Sequence, residues 1–183
     1  MNYLKIEYED VCNGTGLRCT IWFTSCSHKC KGCFNEESWN ADNGIPFDES
    51  IKQKVFNELS KDYISGITLT GGDPLHVNNL LEILSLVREI YSNFPDKTIW
   101  LYTGYTWEEI IFPVVTNDFN LKRDLIISLL KQIIDNIDVL VDGKYDENKK
   151  DLSLAFRGSS NQRIIDVQKT LKRNEIVLYE VNN

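Results

Sequence analysis

The chain has 183 residues, 42% of them hydrophobic, which suits one domain with a substantial core and is too short for a second full one. Its 20 basic and 27 acidic residues leave a net charge of -7, which opposes a nucleic-acid role because neutralising phosphates demands clustered Lys and Arg. No apolar stretch reaches the roughly 18 residues of a membrane span or forms a signal peptide at the N-terminus. The 5 cysteines, an odd number, fit a reducing compartment better than a disulfide framework, so the expectation is a cytoplasmic protein whose partners are proteins or small molecules.

Residues 4–12 alternate weakly in polarity and predict an edge strand, followed by a turn at Asn13-Gly14-Thr15-Gly16. Arg18 to Thr24 predicts a buried strand with Cys19, Ile21 and Phe23 on one face and Thr20, Trp22 and Thr24 on the other. Cys19 is expected to act as a small buried hydrophobe, and Cys12 shows no distinguishing pattern. At the C-terminal end of this strand stands the loop 26–35, Cys-Ser-His-Lys-Cys-Lys-Gly-Cys-Phe-Asn. In α/β architectures that end carries the chemistry.

Asn40 to Gly44 is a turn, and Asp48 caps a predicted helix through Leu59 whose apolar stripe is Ile51, Val55 and Leu59. Ser65 to Thr70 predicts a strand running into Gly71-Gly72-Asp73-Pro74. Asn78 or Asn79 opens the next helix, which ends before Pro95 and buries either Leu80, Leu84 and Val87 or Leu81, Leu84 and Arg88. Thr98 to Tyr102 is a strand ending in Thr103-Gly104-Tyr105, after which Trp107 starts a short helix that Pro113 closes. Asn120 to Ile134 predicts a further helix, and Val139 to Val141 a strand ending in Asp142-Gly143-Lys144. Residues 146–163 are polar without a clear period, and the apolar run Ile176 to Tyr179 in the tail has no inferable location.

This alternation predicts a single α/β domain over 1–183 with a mainly parallel sheet. A closed eight-unit barrel typically needs about 250 residues, so any barrel here is incomplete.

The loop puts three thiols at Cys-x3-Cys-x2-Cys spacing, close enough to surround one metal centre. A closed zinc site takes four protein ligands, and an electron-transfer iron–sulfur cluster is usually held by four cysteines. No cysteine follows Cys33, so a centre held by Cys26, Cys30 and Cys33 keeps one position open for a small molecule. The alternative is a non-catalytic zinc-binding interaction module that uses the three cysteines and His28.

The cysteine loop followed by Phe34 resembles the signature of the radical S-adenosylmethionine enzymes. Asn13-Gly14-Thr15-Gly16-x-Arg18, Thr70 to Leu75, Thr103-Gly104-Tyr105, Val141 to Lys144 and Arg157-Gly158-Ser159-Ser160-Asn161-Gln162 are together similar to the activating proteins of anaerobic ribonucleoside-triphosphate reductases. The likeness runs from the N-terminus to about Gln162, leaving an extension at about 163–183. It implies an incomplete, open radical-SAM-type β/α barrel with a 4Fe-4S cluster on Cys26, Cys30 and Cys33. S-adenosyl-L-methionine would bind at the open iron. Gly71, Gly72 and Asp73 would receive its methionine half, and Phe34 with the backbone near Gly32 and Cys33 would support its adenine.

The chemistry implied is reductive cleavage of that cofactor and generation of a glycyl radical on the reductase, fed by an electron donor such as flavodoxin. It requires no catalytic side chain beyond cluster and cofactor. No extra cysteine cluster is inserted between Cys33 and Gly71, which favours the small reductase-activating subgroup. Alternatives stand beside several of these roles: Asp73 as a helix cap, Phe34 as packing, and Asp142 and Lys144 as a solvated turn. Arg157 and Gln162 either order the open rim or face a partner, and His76 reads as a loop residue. Ser25 stands where members of that family often carry glycine.

Overall fold

The computed structural model describes residues 1–112 and 121–181. The expected helix stop at Pro113 and start at Asn120 lie outside the described residues. Strands β1 (Asn2–Asp10), β2 (Arg18–Phe23), β3 (Ile45–Pro46), β4 (Gly66–Gly71), β5 (Thr98–Tyr102), β6 (Val139–Asp142) and β7 (Arg163–Asp166) form one sheet in the order β3-β1-β2-β4-β5-β6-β7. The central strands β2, β4, β5 and β6 are parallel, while β1 runs antiparallel to β2 and β3, and β7 antiparallel to β6. The sheet does not close on itself; β3 and β7 are its edges.

Period-two alternation sends each strand's residues to two different interiors. On one face Cys19, Ile21, Phe23, Ile67, Leu69, Ile99 and Leu101 share the main core with α1 (Glu49–Leu59), α2 (Leu80–Asn93) and α4 (Leu121–Ile134). Asp48 caps α1 by accepting from the Ile51 amide, as its sequence predicts. Of the two rows open for α2, burial selects Leu80, Leu84 and Val87, while Leu81 and Arg88 face outward. The short α3 (Trp107–Ile111) is held by a reciprocal cap between Thr106 and Glu109.

The other face gathers Trp100, Val139, Val141 and Ile164, covered by Tyr102, Phe156, Tyr179 and Val181. Beside Trp100 lies Arg18, fully buried near the N-terminal ends of the parallel strands. Its guanidinium donates to Thr68 Oγ1 (2.8 Å), the Ile67 and Thr98 carbonyls (2.6 and 2.8 Å), Thr98 Oγ1 (3.0 Å) and the Thr15 carbonyl (3.1 Å). The Asn13-to-Arg18 motif thus pins β2, β4 and β5 together at the end away from the cysteine loop. Gly14, at φ +131°, is required there because a Cβ would lie 2.9 Å from both Arg18 and Trp100.

The two-residue strand β3 escapes the sequence patterns, as do β7 and the helix after it, α5 (Val167–Arg173), which Asp166 caps and Asn174 ends in a left-handed conformation. The run at Ile176 to Tyr179 finds its place against β7. The Asp166 amide donates to the Val177 carbonyl (2.9 Å), and the Tyr179 amide to the Ile164 carbonyl (2.8 Å). Among the described residues no helix is long and apolar enough to cross a membrane.

Candidate metal and cofactor site

The C-terminal ends of β2, β4, β5 and β6 meet around a cavity of about 120 Å³ whose lining includes Cys26, Cys30, Cys33, Gly71, Gly72 and Gln162. Left-handed conformations at Ser25 (φ +74°), Lys29 (φ +48°) and Gly32 (φ +74°) turn the cysteine loop back on itself. The left-handed backbone at Ser25 is one that glycine adopts freely and an L-residue reaches at a cost of about 1–2 kcal/mol. The strained turn is held by the Asp73 amide, which donates to the Ser25 carbonyl at 2.8 Å, and by the Cys26 amide, which donates to the Trp39 carbonyl at 3.3 Å.

Burial pushes the Cys26 thiol up, opposed by the backbone N–H groups of His28 and Lys29, and pushes Cys30 up, opposed by that of Tyr145. The Asn35 amide donates to Cys33 Sγ at 3.4 Å. Amides aimed at sulfurs stabilise thiolate ligands, and hydrogen bonds to sulfur tune an iron–sulfur centre. The other two cysteines lie elsewhere: Cys19 is fully buried, its thiol pushed up to about 12 by burial, and Cys12 is exposed beside Asp10. Among the described residues no group of three His, Cys, Asp or Glu side chains is placed to hold a single metal ion. His28, the fourth ligand of the zinc alternative, has its Nε2 engaged by Asp73 at 2.7 Å.

At the end of β4, Gly71 has φ +109° and passes so near β2 that a Cβ would lie 2.4 Å from the Phe23 backbone. A Cβ on Gly72 would lie 2.6 Å from the Ser25 carbonyl. Both glycines therefore bring the cysteine loop and the β4 turn into backbone contact. Asp73, 1% exposed, accepts from the Leu75 amide (2.8 Å), Thr103 Oγ1 (2.9 Å), the Gly104 amide (3.1 Å) and His28. It forms a turn with Leu75 rather than capping α2, and it ties three strand ends together.

Asn79, whose sequence position suggests only a helix cap, makes no side-chain cap and instead donates to the Thr24 carbonyl (2.8 Å) and the Asp73 carbonyl (3.1 Å) from a fully buried position. Neither it nor Thr103 is singled out for the site by sequence; Thr103 offered the signal of a hydroxyl beside Gly104 at a strand end, and Asn79 offered none. His76 stays a loop residue, its Nδ1 accepting from the Asn78 amide at 3.2 Å.

Phe34 is 85% exposed and meets Trp22 edge-on at 5.6 Å; it is not buried by packing, and it is not among the residues that line the cavity. Asp142 is buried and accepts from the Trp107 amide (2.7 Å) and Arg163 Nε (3.0 Å), while Arg163 also grips Glu108 at 2.8 Å. It is a structural clamp, not a solvated turn; Lys144 is exposed. The Arg157-to-Gln162 motif folds on itself. Gln162 accepts from the Gly158 and Ser159 amides (3.0 and 3.1 Å) and donates to the Gly143 carbonyl (3.1 Å), and Arg157 donates to the Gln162 carbonyl (2.9 Å). Of its two readings, ordering the rim accounts for every one of these bonds.

A family model described as a 4Fe-4S single cluster domain matches residues 12–165, which take in all three loop thiols and the β4 turn. The chain is 43% identical over 166 residues to the anaerobic ribonucleoside-triphosphate reductase-activating protein of Pasteurella multocida (strain Pm70), covering 90% of this chain and 96% of that protein. The chain belongs to the family of anaerobic ribonucleoside-triphosphate reductase-activating proteins. It is also similar to the Escherichia coli (strain K12) member, 40% identical over 88% of this chain and 96% of that protein, and to the Enterobacteria phage T4 member, 43% identical over 90% and 93%. The family model ends inside β7, so α5 and the tail lie beyond it. The donor set fits the cluster of that domain: three soft thiols on one loop, with amides directed at the sulfurs and no fourth cysteine to close it.

Proposed function

We propose that this chain activates an anaerobic ribonucleoside-triphosphate reductase by making a glycyl radical on it, using a 4Fe-4S cluster on Cys26, Cys30 and Cys33 and S-adenosyl-L-methionine bound at the open iron. The observation that carries this reading is the shared cavity: three thiols from the end of β2 and two close-approach glycines from the end of β4 line one small space. Held by Cys26, Cys30 and Cys33, a reduced cluster would supply the one electron that reductive cleavage of S-adenosyl-L-methionine needs, and the cleaved cofactor would supply the hydrogen-atom abstraction from a glycine of the reductase.

The chain's own residues bind, orient and enclose. Gly71 and Gly72 open the backbone to the methionine half, and Asp73, next to them in the chain, is buried with its oxygens engaged by the protein. The backbone at Gly32 and Cys33 with Phe34 forms the adenine side. We read the open sheet as an incomplete barrel of radical-SAM type, with its unclosed side admitting an extended peptide loop. Glycine suits such a loop because it has no side chain to obstruct approach. A flavodoxin is a suitable electron donor, and the free thiols support a reducing compartment such as the cytoplasm.

The test is anaerobic purification with iron, sulfide and zinc analysis, followed by mixing the reduced protein with the reductase and S-adenosyl-L-methionine. The expected result is a brown protein with iron and sulfide, and a glycyl radical by electron paramagnetic resonance that is absent when the reductase carries alanine at that glycine. A colourless protein with one zinc would overturn the whole reading. Cofactor cleavage without a glycyl radical would overturn the activase part alone.

A further inference from the structure

The cysteine loop has few ways to be held at a fixed height over the sheet, because its connections to β2 and to the 3-10 turn at Glu36–Trp39 constrain only its two ends. Between those ends, His28 turns inward beside the three thiols and lines the same cavity. His28 is nearly buried, with a side chain 6% exposed, and its Nε2 lies 2.7 Å from Asp73 Oδ2. A carboxylate only accepts, so the imidazole donates. The ring fits edge-on against Tyr105, centroids 4.5 Å apart, and sits where a Cβ on Gly104 would come within 2.3 Å of it. Glycine at 104 is therefore the space the imidazole needs. On the far side of the same contact, Asp73 is occupied by Thr103 Oγ1, the Gly104 amide and the Leu75 amide.

We propose that His28 and Asp73 are one positioning pair: the hydrogen bond between them registers the cysteine loop against the ends of β4 and β5. On this view Asp73 helps hold S-adenosyl-L-methionine through the loop rather than by direct contact with its ammonium. With four protein donors already on two oxygens, the carboxylate has little acceptor capacity left, whereas the backbone at Gly71 and Gly72 borders the cavity itself. The inference rests on the cofactor reading above. It differs in what it asks of His28, which lines the same cavity: the N–H it gives Asp73, kept in His28→Gln, is what matters for cofactor binding, and not a contact of the imidazole with the cofactor.

A double-mutant cycle on the full chain, with cluster reconstituted, separates the two arrangements. S-adenosyl-L-methionine is titrated anaerobically against the paramagnetic resonance signal of the reduced cluster for His28→Ala, Asp73→Ala and the double variant. If the pair acts as a unit, each single change weakens binding by about tenfold, and the double variant is no weaker than either. His28→Gln, which keeps an N–H donor at comparable reach, should recover most of the affinity and the wild-type signal. Should alanine at position 73 prevent folding, Asp73→Asn keeps an acceptor for His28 and is expected to bind within a few-fold of wild type. Binding that is unchanged or tighter in His28→Ala while Asp73→Ala weakens it, or losses that multiply in the double variant, would overturn the pair. A wild-type chain whose cluster ignores the cofactor would instead count against the functional reading. The pair is then judged by iron retention across the same four proteins, where non-additive loss supports it and additive loss overturns it.

Discussion

At φ +74°, Ser25 sits in a backbone conformation that an L-residue reaches only at a cost, immediately before the first loop thiol. Ser25→Gly should relieve that strain and raise stability by about 0.5–1 kcal/mol after the extra entropy of glycine in the unfolded chain is counted. Urea midpoints of the two proteins check it. The thiols divide by position. Cys26→Ser, Cys30→Ser or Cys33→Ser exchanges a soft thiolate for a hard, far less acidic alcohol and should remove stable cluster ligation. Cys12→Ser and Cys19→Ser should leave a reconstitutable cluster with wild-type iron content, since both lie outside the cavity. Loss of iron in Cys19→Ser alone, in a folded protein, would refute the three-ligand assignment. The cysteines were legible in sequence because spacing alone brings them together, whereas Asn79 was not, because an asparagine before a helix reads as a cap whether or not its amide is used elsewhere.

Among the elements, α1 and the four central strands follow from caps and periodicity, while β7 and α5 do not, because no glycine or turn signal sets their 4 and 7 residues apart from the polar stretch before them. The junction between α3, β6 and β7 shows what such short pieces rely on. Arg163 on β7 holds Asp142 at the end of β6 and Glu108 on α3, and that contact draws the Glu108 carboxyl down to about 2. A depressed carboxyl contributes stability above its unfolded value of about 4.3 and loses it as pH falls toward the folded value. Glu108→Gln should therefore flatten the acid side of the stability profile between about pH 4.3 and 2, modestly, because Glu108 is half exposed and salt screens it. Arg163→Met should cost much more, about 3–5 kcal/mol at neutral pH, since it strands the buried Asp142 charge. Denaturant melts across pH measure both.

For the molecule as a whole, the tail beyond the family match closes the second face of the sheet. Tyr179 lies 5.1 Å from Trp100, ring to ring, and its hydroxyl is 3.1 Å from Thr15 Oγ1. Ending the chain after Asn174 should expose Trp100, shifting its fluorescence to the red, and lower stability by about 2–4 kcal/mol through lost apolar burial. Cluster incorporation should persist, because the three thiols are held at the opposite ends of the strands. What the amino-acid sequence determined by itself is what neighbours in the chain can decide: the thiol spacing, the glycine turns after strands, the cap at Asp48 and the alternation that makes an α/β sheet. Only the tertiary structure decided that Asp73 would meet His28, Thr103 and Gly104, partners 45, 30 and 31 positions away, and that Asn79 would reach Thr24 across 55. Those contacts depend on the order and register in which β2, β4 and β5 lie side by side, and strand order is set by packing through space, which no local pattern of residues encodes.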